Sequence, residues 1–176
     1  MRALGQGSVS SFLKIILDVV YVSLWVGVGF LALLTLAAIL LSFDTDLLAR
    51  LVGGGTAAEF ALRGPVMAGG LLAAGLYALG VLVIVERLRR IFSTLTAGDP
   101  FHPDNVHRLR TIGLALAGLE LVRYLVWAVG AWLLPGVDKV EPRMSLTAWF
   151  SVLVVFVLAE VFREGARLRR EAELTI

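Results

Sequence analysis

Four long apolar runs in succession constrain this chain more than any other feature. Val19–Phe43 carries no charge and is preceded by Lys14 and Asp18. Gly64–Val85 is also uncharged and opens at Pro65, a residue tolerated in a first helical turn. Thr111–Val137 is interrupted only by Glu120 and Arg123, and Met144–Phe162 only by Glu160. A helix needs roughly 20 apolar residues to cross about 30 Å of hydrocarbon. There it must satisfy its own backbone polar groups, so each run predicts a transmembrane helix. Composition agrees, because 59% hydrophobic and 17% charged residues suit neither a soluble domain nor a disordered chain. The first run is too long for a signal-peptide core and lacks a cleavage site, so it reads as a retained span. The expectation is an all-α membrane protein with one domain of 176 residues. Its four transmembrane helices are placed at about 15–43, 64–86, 111–135 and 144–162.

Charge distribution sets the expected orientation. Eleven Lys and Arg residues fall at the N-terminus, between spans two and three, and after span four, against four on the other side. Basic residues stay inside, which puts both termini, a helical hairpin at 87–110 and a tail at 163–176 in the cytoplasm. The expected location is the bacterial cytoplasmic (inner) membrane. Trp132 and Trp149 flank the second outer loop, Asp138–Arg143, as an interfacial aromatic belt would. The first outer loop, Asp44–Arg63, has room for a short surface helix over Ala57–Leu62, but neither loop holds an external domain. Gly70, Ala74 and Ala78 form a small-residue seam on span two. Packing within the bundle is the first reading of that seam, and a homo-oligomer face the second. A net charge of +2 gives no reason to expect direct nucleic-acid binding.

The hairpin is readable residue by residue. Leu88, Ile91, Phe92 and Leu95 make one apolar helical face, which predicts that span two runs on beyond the membrane and stops at Gly98. After Asp99-Pro100, His102 stands at an N-cap, Pro103 at the first helical position, and Asp104 at the positive end of the dipole. Phe101 and Val106 have the spacing of a hydrophobic staple. In the tail, Arg167–Glu171 and Arg169–Glu173 have helical ion-pair spacing. Asp99, His102, Asp104 and His107 match no metal-ligand pattern, and capping accounts for them better. With no cysteine and only two histidines, no metal or cofactor is expected.

Charges inside the spans are the second place to look for function. A buried ionisable residue is costly in lipid and faces a partner or a cavity. Glu120 and Arg123 share one helix face, and Asp18, Glu86 and Glu160 lie toward the same membrane side. Together these five residues read as an intramembrane polar network. It either fixes helix register or carries a proton, cation or small solute. No catalytic constellation accompanies it, so an enzyme is not expected.

The run from Leu88 to Gly113, including Ala97-Gly-Asp-Pro-Phe-His-Pro-Asp-Asn-Val-His-Arg-Leu-Arg110, resembles a hallmark of the bacterial membrane family known as domain of unknown function 2975. The ending Leu158–Ile176, with Glu160-Val-Phe-Arg-Glu-Gly-Ala-Arg-Leu-Arg-Arg170, is similar to that family's second hallmark. The resemblance implies four spans and brings no enzymatic activity, cofactor or catalytic residue. It also implies genetic association with a small helix-turn-helix regulator. The resulting expectation is a non-enzymatic membrane partner of such a regulator. Its interaction surface would comprise Arg89, Arg90, Phe101, Asp104, Asn105, Arg108 and Arg167. A transporter or channel subunit using the intramembrane charges is the alternative, and a structural membrane scaffold the third reading.

Overall fold

The computed structural model describes residues 9–43, 54–133 and 144–174. Among these, four helices follow in order: α1 (Val9–Phe43), α2 (Gly54–Thr96), α3 (Pro103–Leu133) and α4 (Leu146–Glu173). All four are long and apolar enough to cross a membrane, over Phe12–Leu40, Ala68–Thr96, Pro103–Trp132 and Leu146–Ala172. Their exposed faces are dominated by large apolar side chains, such as Val26, Phe30 and Leu33 on α1 and Leu146, Phe150 and Leu153 on α4. Such faces are stable only against lipid or another apolar surface.

The helices run past the ends of the apolar runs. α2 begins at Gly54, ten residues before the expected start, so Pro65 lies inside the helix and not in its first turn. The stretch expected to form a separate surface helix, Ala57–Leu62, instead becomes the start of α2. Its Ala-rich sequence has high helix propensity. The one donor lost at Pro65 is a cost that membrane helices tolerate. At the other end, α2 continues through Leu88 and Ile91 to Thr96, and α3 starts at Pro103. α4 is capped by Ser145, whose side chain accepts from the Ala148 backbone N–H at 3.2 Å. The expected starts of spans two and four are thus refined, while residues 44–53 of the first outer loop, the second outer loop and the last two residues lie outside the described residues.

Two compact units divide these helices. The first comprises residues 1–24, 80–121 and 143–176, and the second 25–79 and 122–142. In the first, Ile91 of α2, Leu109 and Ile112 of α3 and Ala159 of α4 form the core, surrounded by Leu88, Leu95, Leu116, Val155 and Phe162. Glycines permit close approach here: a Cβ at Gly113 would lie 3.0 Å from the Phe156 ring. In the second unit, Ala38 and Ala68 are buried, and α1 and α2 border an open apolar groove lined by Val28, Ala32, Leu36, Leu72 and Leu76.

Candidate functional site

The α2–α3 turn, within the first unit, is built almost entirely from backbone rules. Gly98 has φ +83, the left-handed conformation that glycine adopts most cheaply. It lets Gly98 N–H donate to Leu95 O at 3.1 Å and Asp99 N–H to Thr94 O at 3.0 Å, which ends α2 in a Schellman pattern. His102 Nδ1 accepts from the Asp104 backbone N–H at 3.2 Å, and His102 O accepts from Asn105 N–H at 2.9 Å, starting α3. Turn and caps therefore fall where the residue pattern puts them.

Asn105 departs from the expectation of a surface contact. It is 0% exposed. Its Nδ2 donates to Thr94 Oγ1 at 2.8 Å and to Pro100 O at 3.1 Å, and its Oδ1 accepts from Arg108 Nη1 at 2.9 Å. Arg108 Nη1 also donates to Arg90 O at 3.1 Å. Asn105 and Arg108 thus tie the end of α2 to the start of α3. A buried amide with its donors and acceptor used holds a turn in one geometry.

The turn is also fastened to α4. Phe101 meets Phe162 with ring centroids 5.8 Å apart at 52°, and Gly165 is the close neighbour, since a Cβ there would lie 2.6 Å from the Phe101 ring. Asp99 accepts from Arg169 across the same seam. The ion pair is a third to a half exposed and adds at most about 1 kcal/mol, while a tilted aromatic pair adds about 0.5–1.5 kcal/mol beyond its burial. The rings, then, are the main fastening. Phe101, expected on an open surface and in a staple with Val106, spends much of its ring on α4 and remains 39% exposed.

The remaining members of the expected surface differ in availability. Arg90 pairs with Glu86 on its own helix, Arg108 reaches Asp104 at 3.5 Å, and Arg167 pairs with Glu164 at 2.5 Å and Glu171 at 3.6 Å. Arg90, Asp104 and Arg167 keep more than half of their side chains exposed. Arg89 is drawn elsewhere: its Nε donates to Asp18 Oδ1 at 2.5 Å, and its guanidinium carbon sits 4.2 Å from the centre of the Tyr21 ring. Thr94 and Arg110 join this end of the molecule without having stood out in the sequence, because each contact is made across helices, and Arg169, expected in a pair with Glu173 along the tail, reaches across to Asp99.

Three carboxylates of the expected intramembrane network, Asp18, Glu86 and Glu160, are each held by an arginine. Asp18 pairs with Arg89, Glu86 with Arg90, and Glu160 with Arg163 and, at 3.8 Å, with Arg110. Of these carboxylates, Asp18 and Glu86 line a common cavity of about 330 Å³ together with Lys14, Tyr21, Arg89, Arg90 and Ser93. Glu120 is buried within α3 at 8% exposure. Arg123 belongs to the second unit, where its guanidinium lies 5.2 Å from the Tyr124 ring centre. His102 and Asp99 are committed to the α3 cap and to Arg169, and among the described residues no three His, Asp or Glu side chains gather around a metal position.

No curated protein and no solved structure matches the chain. A family model does, from residue 19 to residue 176 and hence over both hairpin and last helix. The chain therefore belongs to the family described as protein of unknown function DUF2975.

Proposed function

We propose that the chain is a multi-pass protein of the bacterial cytoplasmic membrane, with both termini and the α2–α3 hairpin inside. We further propose that it serves without catalysis as the docking partner of a small helix-turn-helix regulator. The orientation rests on the eleven-to-four distribution of basic residues. One observation carries the docking role: the hairpin and α4 are joined through Phe101–Phe162 and Asp99–Arg169 into one preformed face. Arg90, Asp104 and Arg167 offer both charge signs on exposed side chains of that unit. A preformed face loses little freedom on binding. Mixed charge gives partner selectivity more than raw affinity. The regulator is the partner that the family resemblance implies.

Co-purification tests this reading. The tagged chain is expected to retain a small helix-turn-helix regulator of the kind the family resemblance implies, and the pair Asp104→Lys and Arg167→Glu to lose it. No retention by the unsubstituted chain contradicts the reading. The transport alternative requires carboxylates through the depth of the bilayer. Asp18, Glu86 and Glu160 instead pair with arginines at the ends of their apolar runs. Glu120→Gln is accordingly expected to leave proton and cation flux into reconstituted vesicles at the level of empty vesicles, as the parent does.

A further inference from the structure

The cavity between α1 and α2 in the first unit shares only Arg90 with the docking face. Its walls carry three cations, Lys14, Arg89 and Arg90, and two carboxylates, Asp18 and Glu86. Its level along both helices is defined by the sequence. The uncharged run of α1 starts at Val19, just after Asp18, and that of α2 ends at Val85, just before Glu86. The cavity therefore lies where both helices leave hydrocarbon and enter the headgroup layer. Tyr21, an aromatic with a polar tip, stands at the same depth, as interfacial aromatics do. Beside it, Val19 and Val22 expose apolar side chains suited to acyl chains.

The charges are separated in a usable way. Arg89 contacts Asp18 through Nε and Arg90 contacts Glu86 through a single terminal nitrogen. A guanidinium has five donors, so each arginine can bind its carboxylate and an external oxyanion at once. Lys14 adds a point charge at the rim. Two carboxylates next to three cations suit a ligand with an anionic and a cationic group a few ångströms apart. A cavity of about 330 Å³ has room for such a headgroup. We propose that this cavity binds the phosphoethanolamine headgroup of a membrane phospholipid. Lys14, Arg89 and Arg90 take the phosphate diester, and Asp18 and Glu86 take the ammonium. The proposal rests on the membrane reading and not on the regulator, so each fails separately.

Native mass spectrometry of the detergent-purified full chain, titrated with defined lipids, reads this directly. Phosphatidylethanolamine is expected to be retained about tenfold better than phosphatidylcholine or phosphatidylglycerol, the value of one charge-assisted contact. Asp18→Asn with Glu86→Gln is expected to abolish that preference, while Arg167→Gln on the distant tail keeps it. Should the double variant misfold by circular dichroism, competition on the unsubstituted chain decides. Glycerophosphoethanolamine displaces the lipid if the proposal holds, and glycerophosphoglycerol does not. Equal retention of the three lipids, or a preference unchanged in a folded double variant, overturns the proposal. Displacement by inorganic phosphate alone overturns the lipid source and assigns the cavity to free phosphate.

Discussion

Asn105 shows how much one buried amide can hold. Replacing it with alanine removes the bonds to Thr94, Pro100 and Arg108 and leaves a half-buried carbonyl and hydroxyl without that donor. The expected loss is about 2–3 kcal/mol, seen as a lower thermal midpoint in detergent. Gly98→Ala forces a Cβ into the left-handed region, though nothing crowds it, so strain alone sets its cost at about 1–2 kcal/mol. The two variants separate a polar network from a backbone conformation at the same turn. Local residues of this kind are legible from sequence: Gly98, His102 and Pro103 stand in short windows whose chemistry is self-contained. Asn105 is not, because its side chain's role is decided by Thr94 on the preceding helix.

Among the elements, α1 differs most from a helix of a soluble bundle. Only 6% of its span is buried, and its exposed residues are large and apolar. Lipid is as apolar as leucine, so such a helix gains little from burying more of itself against its neighbours. The seam between the turn and α4 is a different kind of junction, with paired rings and a glycine. Gly165→Leu is expected to drive Phe101 off α4. Faster amide exchange should then appear over 97–102 and at the end of α4, with α1 unchanged; uniform exchange along the chain would contradict a local seam. Helix number is legible from apolar runs because each must cross the same thickness. The pairings Asp18–Arg89 and Asp99–Arg169 are not, being 71 and 70 residues apart in sequence with no period to announce them. Helix ends are intermediate: Pro65 reads as a start, yet the helix-favouring residues before it carry α2 back to Gly54.

For the molecule as a whole, the proposal is that one end of the membrane protein works and that this end is cytoplasmic. The ion pairs Asp18–Arg89 and Asp99–Arg169, the capped turn and most of the exposed arginines belong to the first unit, and every functional reading depends on which side of the membrane the α2–α3 turn faces. A chain without cysteine permits a clean assay by single substitution. Ser93, beside the turn, and Met144, just before α4, are both exposed and belong to opposite ends of their membrane runs. Intact cells expressing Ser93→Cys or Met144→Cys are treated with a thiol reagent that does not cross the cytoplasmic membrane. The account predicts labelling of the Met144 variant in intact cells and of the Ser93 variant only after permeabilisation. Labelling of the Ser93 variant from outside, with the Met144 variant protected, contradicts the orientation and with it the cytoplasmic docking face.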